Sequence, residues 1–399
     1  MCSSDLYNPL HNGHLYLLEE TRRILGRDTA VIGVMSGDFV QRGDFAVVRR
    51  HARAKAAVES GVDLVLELPL TWAIGSAERF ADGGVGILEA AGVVDHLAFG
   101  SECGDAAALQ RVAGVLCSEN FPAVLKEELT SGISFAAARQ RAAERLAGAE
   151  DAALLAEPNN ILGVEYCKSL LRRKSAIQPF TVQRKGTSYH GTELQEQLPS
   201  ATMLRGLLRS GEREQALSLM APAMRRAYEE EESAGRAPVL LETCERAILA
   251  RLRSMKEEEF AALDEGREGL YHRLYEASRT AARLEDVLDA AKTKRYAHAR
   301  LRRMVLWAWL GMSGTDCPKE IPYLRVLAAN ATGRELLGRM RKAASVPVVT
   351  KPQHIRRLGP EAQRLFELEA RAADLYALAY PELSAAAGST LWREGPVIR

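Results

Sequence analysis

Three short apolar runs in the first hundred residues limit the folds open to this chain. Thr29-Ala30-Val31-Ile32-Gly33-Val34-Met35, Val62-Asp63-Leu64-Val65-Leu66-Glu67-Leu68 and Val94 to Phe99 read as buried strands, the second closed by Pro69 and the third by Gly100. Between them, Arg49 to Ser60 and Glu78 to Ala91 read as helices. Continuous apolar strands spaced by helices require a parallel sheet covered on its faces, an α/β fold built from βαβ units. Ligands of such sheets bind outside the carboxyl ends of the strands. The loops there are Ser36 to Gly43 and Gly100 to Asp105.

The chemistry-bearing segment precedes these runs. Tyr7-Asn8-Pro9-Leu10-His11-Asn12-Gly13-His14 leads straight into the amphipathic positions Leu15, Leu17, Leu18, Ile24 and Leu25. A helix N-terminus offers unpaired N–H groups and a positive dipole end to an anion. Gly13 lets the backbone approach phosphates, and His11 and His14 add donors that can stabilise charge on a leaving pyrophosphate. The plainer reading is a helix-capping turn that contains two histidines. A motif of this kind should follow a buried apolar strand, yet residues 1–6 are Met-Cys-Ser-Ser-Asp-Leu, short and polar. The expectation is therefore a truncated start and a sheet lacking a central member.

Composition excludes several classes. The chain of 399 residues is 47% hydrophobic and 26% charged, with a formal net charge of +1, which argues against a protein that coats nucleic acid but not against one basic face. No apolar run approaches the roughly 18 residues of a membrane span, and the start lacks the order of a secretory signal. Six scattered cysteines indicate neither a zinc site nor a disulfide framework. The expected location is the cytoplasm.

Beyond Asp105 the pattern is mostly helical to about Leu171, with Pro158, Asn159 and Asn160 placed to start a helix through Ser169. Ala176 to Arg184 returns to strand character, and Ser200-Ala201-Thr202-Met203-Leu204-Arg205 opens another helix. From about Glu212 to Pro381 the chain reads as nearly all helix, so a boundary is expected near residue 210, dividing 1–210 from 211–399.

Ser200, Thr202 and Arg205 form a second anion-binding candidate: two hydroxyls at a helix start with a guanidinium one turn in, able to grip β and γ phosphates. A plain N-cap is the competing reading. Gly100 suits a ring or ribose packed on bare backbone. Asp38, Gln41 and Arg42 leave a strand's carboxyl end and suit orientation of a substrate, or else make a surface turn. Lys292, Lys294, Arg295, Arg300, Arg302 and Arg303 fall within twelve residues that hold no acid. Most can line one helical stripe and contact an RNA backbone, whereas Trp307 and Trp309 beside them read as core.

Several of these segments together resemble the tRNA(Met) cytidine acetate ligase family, a branch of the His-x-Gly-His nucleotidylyltransferases. They are Tyr7 to His14, Met35-Ser36-Gly37-Asp38-Phe39-Val40-Gln41-Arg42-Gly43, Gly61 to Pro69, Phe99-Gly100-Ser101-Glu102, Pro158-Asn159-Asn160-Ile161-Leu162-Gly163, Lys294-Arg295-Tyr296 and Ala379-Tyr380-Pro381. Leu10 departs from the family's usual phenylalanine. The resemblance implies a Rossmann-like nucleotidylyltransferase domain followed by a mostly α-helical tRNA-binding domain. It further implies that acetate attacks the α-phosphate of ATP, and that the acetyl-adenylate acetylates the wobble cytidine of elongator tRNA(Met). His11 and His14 would stabilise the α-phosphate, within an ATP site of Tyr7, Asn8, Pro9, Leu10, Asn12, Gly13, Leu17, Gly100, Asn159 and Arg184. Mg2+ would arrive with ATP, held by phosphate oxygens and water rather than by a protein metal site. Competing readings are a cofactor-pathway adenylyltransferase, which leaves the long helical remainder unexplained, and a non-catalytic RNA-binding protein, which predicts tRNA binding indifferent to ATP.

Overall fold

The computed structural model describes residues 2–5, 7–184, 200–266, 269–293 and 296–399. Its centre is an eight-stranded sheet. In chain order the elements that frame the site are β1 (Cys2–Asp5), α1 (Asn12–Leu25), β2 (Ile32–Ser36), α2 (Arg50–Glu59), β3 (Leu64–Leu68), α3 (Ala77–Ala91), β4 (His96–Ser101), α4 (Pro158–Arg173), β5 (Gln178–Gln183), α5 (Ala201–Arg209), α6 (Leu284–Ala291), α7 (His298–Trp309), β6 (Leu324–Ala329), α8 (Ala331–Ala343), α9 (Pro360–Ala377) and β7 (Val397–Ile398). Spatially the main path runs β7-β6-β3-β2-β1-β4-β5, with Val348–Val349 pairing to β6 off this path. The β1–β5 pairings are parallel, as the βαβ reading requires; β6 alone runs antiparallel to its neighbour β3.

Two expectations are corrected here. The polar start does form a strand: Cys2–Asp5 pairs with Ile32–Met35 on one side, and Cys2–Ser3 with Leu97–Ala98 on the other. Ladder pairing uses main-chain groups that every non-proline residue carries, so a polar segment between two apolar strands can join the sheet. The segment after residue 210, mostly helical as expected, also adds strands to the sheet. Leu324–Ala329 enters the sheet beside β3, and Val397–Ile398 pairs with it in turn. The helices between residues 201 and 309 are thus followed by a return to the sheet, and the boundary at 210 does not separate a sheet half from a helical half.

Three strands are buried along their whole length: every residue of β2, β3 and β6 is buried. One apolar cluster packs α3, α4 and α9 against the sheet. A second gathers α6 and α7, and holds Trp307 at 1% exposure and Trp309 at 6%. Trp307 Nε1 donates to Ile74 O at 3.1 Å, so both tryptophans are core residues as expected. No helix of the described residues is long and apolar enough to cross a membrane.

Candidate active site

The site begins at the turn between β1 and α1. Tyr7 adopts a left-handed backbone, φ 39°, a strained choice for a bulky residue. Asn8 is fully buried and clamps the neighbouring loop: its Nδ2 donates to Phe45 O at 3.2 Å and its Oδ1 accepts Val47 N–H at 2.8 Å. Pro9 follows through a cis peptide.

His11 is the N-cap of α1. Gly13 N–H donates to His11 Nδ1 at 3.1 Å, and His11 N–H donates to His14 Nδ1 at 3.0 Å. An accepting Nδ1 places the ring proton on Nε2. Capping therefore sets the tautomer of each ring and puts its proton on Nε2 at the positive end of the helix. The capping reading and the phosphate reading describe the same turn. The rings lie 3.8 Å apart, with Tyr7 edge-on to His14 at 5.3 Å. Burial drives the His11 pKa far below the imidazole range, and His14, Arg184 and Arg205 push it the same way. His11 works as a neutral donor.

Two arginines face this turn. Arg205, on α5, is buried; its Nη1 donates to Asn8 O at 2.8 Å and its Nη2 to Thr202 Oγ1 at 3.2 Å. Its Nε is buried without a hydrogen-bond partner among the described residues, 3.9 Å from Asp44 Oδ2. Arg184 ends β5, where its N–H donates to Ser101 O at 2.9 Å; its Nε is likewise buried and unpartnered among the described residues. A Cβ at Gly100 would come within 3.3 Å of Arg184 Cγ, which is why a glycine suits that strand end. The hydroxyl-plus-guanidinium turn thus meets the histidine turn through Arg205 and the Asn8 carbonyl. Ser200 caps α5, accepting Met203 N–H at 3.2 Å.

The Gly100 edge is fixed from the other side by α4. Glu102 accepts Asn159 N–H at 3.2 Å, Asn159 Nδ2 at 2.6 Å and Asn160 N–H at 2.7 Å. In return Asn160 Oδ1 accepts the N–H groups of Glu102 and Cys103 at 3.0 and 3.1 Å. A carboxylate on a helix N-terminus is electrostatically favoured. Asn159 is held beside Gly100 by a residue of the Gly100 loop.

Other expected site residues are placed differently. Leu10 and Leu17 are interior side chains, buried as Asn8 and His11 of the same segment are. Asp38 turns inward to Arg50, accepting Arg50 N–H at 3.0 Å and Nε–H at 2.9 Å. Arg50 also binds Glu67, whose other oxygen accepts from Arg325 at 2.8 Å. Burial alone would raise the Asp38 pKa, but Arg50 outweighs it and the group stays ionised. Asp38 therefore stiffens the loop from beneath.

The cation stripe is the largest departure. Arg303 is buried, its Nε and Nη2 on the Glu265 carboxylate at 2.9 and 2.7 Å. Arg300 donates twice to Glu265 O, and Arg302 reaches Glu285 at 3.2 Å. The counter-charges absent from the twelve-residue window come from elsewhere in the chain. Lys292 caps the end of α6 and is exposed; Lys294 and Arg295 lie outside the described residues. Sequence reasoning missed Asp44 and Arg209, joined at 2.6 Å beside Arg205. The i,i+4 spacing of Arg205 and Arg209 on α5 was the available signal.

Known proteins share this fold. The family model for HIGH Nucleotidyl Transferase matches residues 6–390. The tRNA(Met) cytidine acetate ligase of Acetivibrio thermocellus is 37% identical, covering 94% of this chain and 93% of its own. That of Alkaliphilus metalliredigens is 38% identical over 94% and 92%. The crystal structure of apo Thermotoga maritima TmcAL is 33% identical, with a TM-score of 0.94 over 100% of this chain and 98% of that one. A second crystal form, bound with alpha-thio ATP, has a TM-score of 0.92 over the same shares.

Proposed function

The chain belongs to the tRNA(Met) cytidine acetate ligase family, and from that premise we propose that it activates acetate with ATP and acetylates the wobble cytidine of elongator tRNA(Met). Acetate is not electrophilic enough to acylate an aromatic amine at neutral pH, so its oxygen must first become part of a better leaving group. An acetate oxygen attacks the α-phosphorus of ATP, the bond to the bridging oxygen breaks, and pyrophosphate leaves. The N4 amine of cytidine then attacks the acetyl carbonyl; AMP departs and the amine loses a proton, leaving N4-acetylcytidine.

What supports this reading above all is the pairing of a neutral His11 donor at a helix N-terminus with the guanidinium groups of Arg184 and Arg205, whose buried Nε–H have no hydrogen-bond partner among the described residues. Donors held in place where negative charge develops typically contribute a factor of about 10²–10³ each. His11 and His14 offer Nε2–H to the α-phosphate and departing oxygen, with Arg184 and Arg205 for the remaining phosphates and Ser200 and Thr202 at the rim. Of the carboxylates flanking the loop, Asp38 is held by Arg50 and Asp44 by Arg209. Mg2+ bound to the triphosphate would accordingly be held by phosphate oxygens and water, neutralising charge there.

The test is exchange of radiolabelled pyrophosphate into ATP. Exchange should require acetate and fall by about 10²-fold or more in His14→Ala. Nuclease digestion of unmodified elongator tRNA(Met) after incubation with ATP and acetate should yield the acetylated nucleoside. Exchange with other carboxylates but never with acetate would overturn the substrate assignment.

A further inference from the structure

Arg300 and Arg303 are held by Glu265, which leaves Arg302 as the described arginine of the stripe nearest an open cleft. A different set of guanidinium groups stands beside the nucleotide site. Asp44 is buried; Arg209 donates to it at 2.6 Å, and Arg205 Nε lies at 3.9 Å. The tip of the loop carrying Arg42 rests on α7, since Gly43 has φ 73° and a Cβ there would lie 2.6 Å from Arg302 Cβ. Arg42, Arg209 and Arg302 thus crowd Arg205, with Asp44 the carboxylate beside it. The excess is felt by Arg205, whose pKa is lowered first by burial and then, against Asp44, by Arg209, Arg42 and Arg302.

A cavity of about 340 Å³ opens beside this cluster. Arg209 and Arg302 stand on its wall, while Leu241 and Leu288 give it apolar surface. That volume falls within the range of about 300–1,000 Å³ seen for small-molecule sites. Glu242 and Glu285, which also line it, pair with Arg209 at 2.9 Å and Arg302 at 3.2 Å. Their side chains are 57% and 54% exposed, so these pairs are weak and open to exchange with a stronger anion. Arginine clusters prefer phosphate, and unpaired RNA bases can be splayed into pockets with flat apolar walls.

We propose that this cleft, between α5, α6 and α7 and beside the loop tip, receives the RNA: a backbone phosphate next to the reacting cytidine docks at its edge on Arg42 and Arg302, and the adjoining base enters the cavity. This assignment rests on the proposed function and gives it a substrate path. The carboxylates serve as placeholders that hold the guanidinium groups until phosphate replaces them.

The experiment measures binding of unmodified elongator tRNA(Met) transcript across a salt series, alongside acetate-dependent pyrophosphate exchange on the same preparations. Arg42→Ala and Arg302→Ala should each weaken binding about tenfold and flatten the log–log salt slope by about one, with exchange unchanged. Leu241→Trp, which narrows the cavity, should weaken binding with the salt slope retained. Wild-type affinity in all three variants overturns the proposal, as does a greater loss from Lys292→Ala or Arg300→Ala on the stripe. Loss of exchange in Arg302→Ala also overturns it, by making the effect one on the nucleotide site. An absence of exchange in the wild-type protein counts against adenylation instead, and the binding series still decides the RNA path.

Discussion

Arg205 and Arg303 are almost equally buried, at 6% and 7% exposure, yet their surroundings oppose each other. Arg303 has a carboxylate gripping it through two hydrogen bonds, so its charge is neutralised within the fold. Arg205 has a carbonyl and a hydroxyl as hydrogen-bond partners, one carboxylate at 3.9 Å, and further arginines around it. A buried cation with neutral partners is costly unless something anionic completes it. Burial therefore does not separate structural from functional arginines, whereas the charge of the partner does.

The largest expected effect sharpens that contrast. Arg205→Ala should lower pyrophosphate exchange by about 10²–10³-fold, because a preorganised phosphate donor is removed. The thermal midpoint should move little, since crowding with Arg209, Arg42 and Arg302 is relieved as the Asn8 contact is lost. Arg303→Ala should do the reverse. It leaves Glu265 with only the longer Arg300 contact at 3.8 Å and costs about 2–3 kcal/mol of stability by urea titration, with KM for ATP unchanged. If both variants lose activity and stability in equal measure, partner charge is not what distinguishes the two sites.

The same contrast explains what was legible from the sequence. The histidine turn could be read because its chemistry is local: cap, tautomer and dipole all arise within four residues, His11 to His14. The Thr29–Met35 and Val62–Leu68 strands could be read because both faces are covered and the apolar runs are unbroken. The pairing within the cation stripe is not legible locally, because Glu265 and Glu285, the partners of Arg303 and Arg302, lie outside its twelve residues. Strand β6 was passed over because Leu-Arg-Val-Leu-Ala-Ala is rich in helix formers, although Pro322 and Asn330 bound it as they would a strand. Strand β1 was missed because its pairing resides in the main chain, which residue type reports poorly. The Asp38–Arg50–Glu67–Arg325 network joins four distant segments, and no spacing rule announces it.

That network carries a smaller effect at its far end. Glu369 accepts Leu70 N–H at 3.1 Å and Tyr323 O–H at 3.0 Å. Burial, reinforced by the charge of Glu67, pushes its pKa up from 4.5 to about 7 against the pull of Arg325 and Arg50. Between those values the folded protein binds a proton that the unfolded chain does not, so stability falls as pH rises through this window. Glu369→Gln keeps an acceptor for Leu70 and cannot ionise. Relative to wild type it should gain stability between pH 5 and pH 8, by roughly 1–3 kcal/mol in urea titrations. An equal difference at both pH values would mean that Glu369 titrates normally.

The smallest effect decides between the two readings of Ser200. Its hydroxyl caps α5 by accepting Met203 N–H, and it stands exposed at the rim of the proposed nucleotide site. Alanine confounds the two roles, since losing a cap costs about 1 kcal/mol and would loosen the helix that carries Arg205. Glycine is tolerated at the cap within a few tenths of a kcal/mol, so Ser200→Gly removes the hydroxyl while leaving the helix start nearly intact. A several-fold rise in KM for ATP, with an unchanged melting temperature, assigns the hydroxyl to phosphate. An unchanged KM makes Ser200 a cap alone and leaves Arg205 and Thr202 as the phosphate contacts on that side.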